Sequence, residues 1–393
     1  MLVRESICRV LEDKLRAELA AGRGADAVWL PPGPWPDSLP IGEAGLGADS
    51  LELLALAGSV NEMFHIHDTG IEDALLARRY FGDWVDLIQQ SWKANAGRVS
   101  FHTSGSTGRP KRCTHTMLDL AAEADEHARR LRPGRILTAV PSHHIYGFIF
   151  SVLLPLQAGC EVIDIRTQLP ARFLEDDVLV SFPEHWQYLG RSLRHLPAVT
   201  GVTSTAPMPT GLARDLCSRG LHRLVEIYGS SETGGIGWRD DPDAPFALLD
   251  LWSVRGAPAA DGTLLLTGRS GMQTETPDLV AMAESRSFHV RRRRDGAVQV
   301  GGINVFPAHI AATLERHPLV AHARVRLAAG ACSRLTALIV PNDPDVDQDK
   351  LRQQLEAWII LHLSGPERPR SFTIAAQIPT GDFGKERGWL EMA

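Results

Sequence analysis

The chain has 393 residues, a formal net charge of −6 and a hydrophobic fraction of 44%. That length suits two or three domains with a sizeable core, and the acidic balance argues against a general binder of nucleic acid or anionic membrane. Five scattered cysteines (Cys8, Cys113, Cys160, Cys217, Cys332) show neither disulfide nor zinc spacing, the charged start "MLVRESICRVLEDKL" is no signal peptide, and no apolar run could span a bilayer, so a cytoplasmic protein is expected.

Val3, Ile7, Val10, Leu11, Leu15 and Leu19 recur at helical spacing and predict a first helix. The proline-rich "WLPPGPWPDSLP" breaks it, and "DSLELLALAGSVNEMF" predicts a second helix with Asp49 or Ser50 as N-cap. A third apolar stretch, "RRYFGDWVDLIQQSW", leads to a polar linker at 93–98. From about 99 to 290, β-rich runs alternate with helical stretches: 135–140, 160–165, 177–182, 198–205 and 223–229. Such alternation predicts a layered α/β domain. From about 296 a smaller α+β unit is expected, with a helix near 308–317, strands in "ARVRLAAG" and "RLTALIVP", and a helix near 348–363.

The loop "FHTSGSTGRPK" (101–111) is small, polar and flexible. Its small residues let backbone N–H groups converge on an oxyanion, its hydroxyls add donors, and Lys111 adds a point charge for phosphate. The Walker spacing does not fit it. Six further segments follow in order: "SHHIYGF" (142–148), "TSTAPMP" (203–209), "IYGSSETGG" (227–235), "TPDLV" (276–280), "RRDGAVQVGGINVFPAHI" (293–310) and "PTGDFGKERG" (379–388). Together these segments resemble the adenylate-forming ligase superfamily over residues 99–390.

The resemblance implies an α/β fold: a trimmed adenylate-forming large domain (99–293), a small mobile α+β C-terminal domain (296–393), and in front a small helical bundle (1–92). It implies ATP, Mg2+ and CoA as cofactors. Thr103, Ser104, Gly105, Ser106, Thr107, Gly108 and Lys111 would hold the ATP phosphates, and Tyr228 would stack on adenine. Ser231 would hydrogen-bond the α-phosphate and Glu232 would bind Mg2+. Asp278 would hold the ribose hydroxyls, and Arg293 would make a second nucleotide contact. Lys385 would bridge the acid's carboxylate and the α-phosphate, with His144 beside that carboxylate. Asp295 would be the hinge, and Gly301 and Gly302 would admit a pantetheine arm past bare backbone. The chemistry is consistent, because carboxylate and phosphate repel, and Lys385 with Mg2+ on Glu232 supplies positive charge where the transition state gathers negative charge.

The first ninety residues resemble an acyl-carrier protein, whose serine, here Ser50, receives 4'-phosphopantetheine; a plain helix N-cap is the alternative. "HHIYGF" resembles the segment of 4-coumarate–CoA ligases that meets a hydroxycinnamate, and the compact plan resembles the 4-coumarate ligases associated with photoactive yellow protein. Tyr146 would then meet a phenol hydroxyl, or pack in the core, and a flat aryl acid would suit a pocket of Phe148, Ala206, Pro207, Gly229 and Gly234. The expected function is ATP-dependent activation of an aryl or arylacrylic acid and its transfer to a thiol. The acceptor is CoA, the arm on Ser50 or a separate carrier protein. A catalytically dead nucleotide-binding scaffold stays open, as does a homodimer. "RRRR" (291–294) reads as a charged face or a patch for the phosphates of CoA, while nucleic acid and membrane are not expected partners.

Overall fold

The structure is a computed structural model describing residues 2–23, 30–95, 97–103, 111–170, 172–256, 262–293, 296–301, 303–328 and 334–377. Its contacts define two units, one built from residues 1–103, 110–276 and 280–290, the other including 277–279 and the residues from 291 onward.

The first unit opens with four helices. In α1 (Arg4–Arg23) the predicted stripe of Ile7, Val10, Leu11, Leu15 and Leu19 is buried. Asp49 caps α2 (Ser50–Phe64) by accepting the N–H groups of Leu51 and Glu52, while the Glu52 side chain accepts the Asp49 N–H, a reciprocal box that fixes the helix start. A 3-10 turn (Ile66–Thr69) and the short α3 (Ala74–Ala77) lead to α4 (Phe81–Ala94), which buries Trp84, Val85 and Ile88. The apolar faces of these helices join one cluster with Phe101, Phe148, Phe150 and the strand residues Val178, Val202 and Val225. The helical segment therefore shares its core with the sheet that follows.

An antiparallel hairpin, β1 (Arg98–Thr103) and β2 (Lys111–Thr116), precedes α5 (Met117–Leu131). Then come β3 (Arg135–Thr138), a helical stretch of α6 (Ile145–Phe148), a π-turn and α7 (Leu154–Ala158), β4 (Glu161–Asp164), β5 (Asp177–Ser181), α8 (Pro183–Ser192), β6 (Thr200–Thr203), α9 (Thr210–Ser218) and β7 (Arg223–Ser230). Strands β8 (Gly234–Arg239), β9 (Phe246–Leu248), β10 (Trp252–Val254), β11 (Leu265–Gly268), β12 (Gln273–Glu275), β13 (Asp278–Glu284) and β14 (Ser287–Arg293) follow. Nine strands form one sheet in the order β13-β14-β9-β8-β7-β6-β5-β3-β4. The pairs among β3, β4, β5, β6 and β7 are parallel; β8 and β9 continue the sheet antiparallel. Alternation explains the layers. Val178 and Val180 of β5 face the cluster shared with the first helices, whereas Leu179 faces a second cluster with Trp186 of α8 and Leu216 of α9. All five residues of β5 are buried, as a strand covered on both faces requires.

In the second unit, β17 (Val320–Leu327), β18 (Leu335–Pro341) and β19 (Ser371–Ile374) make a three-stranded sheet, numbered after the hairpin β15 (Val298–Val300) and β16 (Ile303–Val305). Two helices, α10 (Pro307–Glu315) and α11 (Gln348–His362), pack Ile310, Leu314, Leu351 and Leu355 into this unit's own core. Among the described residues, no helix is long and apolar enough to cross a membrane.

Candidate active site

The parallel strands β3, β5, β6 and β7 share one direction, so the segments that leave their carboxyl ends gather at one edge of the sheet. Ligands of open α/β sheets bind outside those ends. Here the edge carries 142–148 after β3, 203–209 after β6 and 227–235 at the end of β7, three of the segments singled out in the sequence.

The turn between β7 and β8 is tightly specified. Ser230 N–H and Thr233 Oγ are 3.2 Å apart and the two hydroxyls 3.0 Å apart, closing the turn around Ser231 and Glu232. A Cβ on Gly229 would stand 2.2 Å from the Gly234 carbonyl oxygen, so only glycine lets the strands approach there. Gly234 has φ +71°, and its Cβ would lie 2.5 Å from the Glu123 carboxylate of α5. That buried carboxylate accepts the Gly235 N–H at 2.9 Å. Tyr228, half-buried, packs against Phe246 (5.6 Å between centroids) and Phe288 (5.5 Å).

The β1–β2 hairpin meets this turn. Thr103 pairs with Lys111, so the two ends of the intervening loop are held side by side. Lys111 donates to Glu232 Oε1 at 3.1 Å, and His115 Nε2 lies 2.7 Å from the Ser231 carbonyl oxygen. The hydrogen bond to Glu232 raises the Lys111 ammonium above its ordinary value. Burial pushes the Glu232 carboxyl up, but the bond and charge of Lys111, with a backbone donor, outweigh it and hold Glu232 below the usual range. The result is a half-exposed, ionised carboxylate beside an ammonium, suited to a hard divalent cation and a phosphate.

His144 precedes α6, with its ring 4.1 Å from that of His143. Both face a cavity of about 210 Å³ whose opposite wall is α1, through Lys14, Ala17 and Ala21, with Met63 of α2. His144 is itself exposed to solvent; desolvation by the surrounding atoms, then the positive charge of Lys14, hold its imidazole below its ordinary value. Tyr146 is buried and donates its hydroxyl to the Ser181 carbonyl at 2.9 Å, so its remaining capacity is as an acceptor. Phe148, expected at the substrate pocket, is fully buried with its edge against Phe101 (5.4 Å) and joins the core cluster. Ala206 is half-buried and Pro207 exposed, just after Thr205, which holds φ +77°. A β-branched residue there is a strained position of the kind that clusters at functional sites.

Asp278 is buried at the start of β13, and Gly301, at φ +60°, is exposed with open space around its Cα. Ser50 is exposed at the first position of α2. Ser104, Gly105, Ser106, Thr107, Gly108, Asp295, Gly302, Lys385 and the side chains of Thr103 and Arg293 lie outside the described residues.

Two positioning residues escaped the sequence reading. Asp13 of α1 is 3% exposed; its carboxylate accepts both the N–H and the hydroxyl of Ser142 at 2.7 Å and pairs with Arg166 at 2.6 Å, fastening α1 to the segment that carries His143 and His144. Glu123 fastens α5 to the β7–β8 turn. In both, a carboxylate is buried on a helix face with other polar side chains, Lys14 in α1 and Glu126 and His127 in α5, and a buried charge needs a partner.

The sheet, its edge segments and the lysine–glutamate contact define an adenylate-forming class of enzyme. Solved structures share the fold: an o-succinylbenzoate CoA synthetase from Bacillus subtilis superposes with a TM-score of 0.58 at 21% identity, covering 73% of this chain and 67% of that one. An amide bond synthetase from Marinactinospora thermotolerans gives 0.58 at 18% identity, over 96% and 92%. The AMP-binding enzyme family matches residues 58–250. A 4-coumarate–CoA ligase from Halorhodospira halophila is 37% identical over 391 residues, 97% of this chain and 98% of that protein. One from Rhodobacter capsulatus is 36% identical, over 97% and 99%. The chain belongs to the AMP-binding enzyme family, as an AMP-forming acid–thiol ligase similar to the 4-coumarate–CoA ligases.

Proposed function

We propose that the protein activates an aryl or arylacrylic acid, 4-coumarate or a close analogue, with ATP and passes the acyl group to CoA. The observation that carries the reading is the contact of Lys111 with Glu232 at the mouth of the hairpin, beside a turn that only glycines permit, in a chain that matches ligases of that acid along almost its whole length. The acid's carboxylate oxygen attacks the α-phosphorus, the bond to the bridging oxygen breaks, and pyrophosphate leaves with its electron pair. The thiol then attacks the acyl carbon and AMP departs. Lys111 steadies the phosphates, Ser231 orients the α-phosphate, and neutral His144 hydrogen-bonds the attacking carboxylate without taking up its charge. Tyr228 and Asp278 hold the adenosine, and Lys385 supplies positive charge to the carboxylate and the α-phosphate. Mg2+, held by Glu232, would neutralise phosphate oxygens. A cytoplasmic location belongs to the same reading.

The test is acid-dependent ATP–pyrophosphate exchange across 4-coumarate, cinnamate, hydroxybenzoates and fatty acids. Exchange is expected with 4-coumarate, falling at least about tenfold in Lys385→Ala. No exchange with any aryl acid, from folded protein that binds ATP, would overturn the reading.

A second acceptor is favoured by one observation: Ser50 lies exposed beside Leu51 (78% exposed) and Leu54 (56%), a face open to a modifying enzyme. In that reading a 4'-phosphopantetheine arm on Ser50 takes the acyl group. Ser50→Ala would abolish thioester formation there and leave CoA ligation intact.

A further inference from the structure

We propose that His65, His67 and Asp68 form a binding site for one divalent transition-metal ion of the zinc class, built from residues other than those of the β7–β8 turn. Each offers one ligand atom, and the three lie within 4.8 Å of one another. His65 Nδ1 is 3.9 Å from Asp68 Oδ2, and His67 Nε2 is 3.5 Å from Asp68 Oδ1. Ligands about 2 Å from a tetrahedral ion stand about 3.3 Å apart, so rotation of exposed His67 and modest movement of Asp68 close the set.

The surroundings prepare these atoms to ligate. His65 is 7% exposed, and its Nδ1 is buried with no hydrogen-bond partner while turned toward Asp68. Its other nitrogen, Nε2, lies 2.8 Å from Ser100 Oγ, which lies 2.7 Å from Thr114 Oγ1. A chain running from Nε2–H through Ser100 to Thr114 leaves Nδ1 a bare lone pair. His67 Nδ1 lies 3.2 Å from Asn61 Oδ1, an oxygen that already accepts the His67 backbone N–H at 2.8 Å. That acceptor requires the proton on Nδ1 and leaves Nε2 bare. Arg98 donates to Asp68 Oδ2 at 2.8 Å, orienting the carboxylate and leaving Oδ1 toward His67. Outer partners of this kind fix tautomers and aim ligands in metal centres. Two imidazoles and one carboxylate suit zinc and its neighbours better than magnesium or calcium. His67 (42% exposed) and Asp68 (19%) leave the fourth position to water.

The site bridges the turn after α2 and, through Ser100 and Thr114, both strands of the hairpin that carries Lys111. A bound ion would brace that hairpin from its far end.

The experiment uses the full chain, stripped with chelator and titrated with Zn2+ in the absence of ATP and Mg2+. The wild type is expected to retain one equivalent through gel filtration and to melt higher when loaded. Because the chain holds 15 histidines, His322→Ala, at a side chain 64% exposed, serves as control and should bind as wild type. His67→Ala, at an exposed position that leaves the fold intact by circular dichroism, should bind at least about tenfold more weakly, since even outer partners of a ligand are worth that much. With Co2+ as probe, the intense visible absorption of a low-coordinate ion should appear in the wild type and be lost in His67→Ala. Failure of the wild type to hold one equivalent, or equal binding by His67→Ala, would overturn the proposal.

Discussion

Replacing Asp13 with alanine tests whether α1 positions the segment that carries His143 and His144. The carboxylate is 3% exposed and accepts two hydrogen bonds from Ser142 while pairing with Arg166. Its loss strands the buried Ser142 amide and hydroxyl and removes one of two partners of Arg166, which keeps Asp164. Breaking a buried pair costs about 3–5 kcal/mol. The retained Asp164 places this case at the lower end, about 3 kcal/mol, or roughly 4 °C in the unfolding midpoint of a chain this long. Asp13→Asn, with its amide oxygen in the place of Oδ2, keeps the acceptor of both Ser142 donors but gives up the pair with Arg166, and should lose about half as much. Ser142 leads directly into His143 and His144, so exchange activity should fall by up to about 100-fold in the alanine variant, the scale of a group misplaced by about 1 Å. Circular dichroism melting and pyrophosphate exchange read the two effects. A midpoint within about 1 °C of wild type, within the scatter of a surface change, with unchanged exchange would refute the reasoning.

Burial, reinforced by His144, Lys14 and Arg166, pushes the His143 imidazole down to about 2 from 6.5. The unfolded chain therefore takes up this proton first; stability is full above 6.5 and declines as pH falls, by about 2 kcal/mol between pH 6.5 and 5. Denaturant titrations should show that slope reduced in His143→Gln, and an unchanged slope would refute the assignment. Glu123→Ala strands the Gly235 N–H, so kcat/KM should fall about tenfold with a stability loss of about 1–3 kcal/mol, and Glu123→Gln, which still accepts, should recover most of both; equal defects in the two variants would count against a positioning role. Gly229→Ala drives a Cβ to 2.2 Å from a carbonyl oxygen, so a melting experiment should show a loss of about 1–3 kcal/mol.

The parallel half of the large sheet was legible in the sequence. The runs at 135–140, 160–165, 177–182, 198–205 and 223–229 became β3 to β7: β5, buried on both faces, is a near-continuous apolar run, and the edge strand β4 is marked by Val162 and Ile163. The helix near 348–363 and the Asp49 cap were legible for equally local reasons. The strands from β8 to β14 were not. Several have three residues, too few for alternation to emerge, and their partners are set by register across the sheet. The motif 227–235 announced Glu232 and the glycines, yet nothing in it names Glu123, which reaches Gly235 from 112 positions away. Periodicity marks the apolar face of a helix and is silent on what covers it.

That silence matters most for the first ninety residues, which read as a small bundle preceding the ligase. Their buried side chains meet those of the sheet in one cluster, and two consecutive residues of α1 divide the work of attachment. Asp13 turns inward and holds Ser142; Lys14, bonded to Glu18 at 2.7 Å, lines the cavity faced by His143 and His144. Ala17 and Ala21, about one and two turns further along the same face, keep that wall low, so side-chain size at these two positions sets how much room the cavity offers. A segment that contributes a buried carboxylate anchor and a cavity wall is held in place by the same burial that folds the sheet, and helps to shape the site it adjoins.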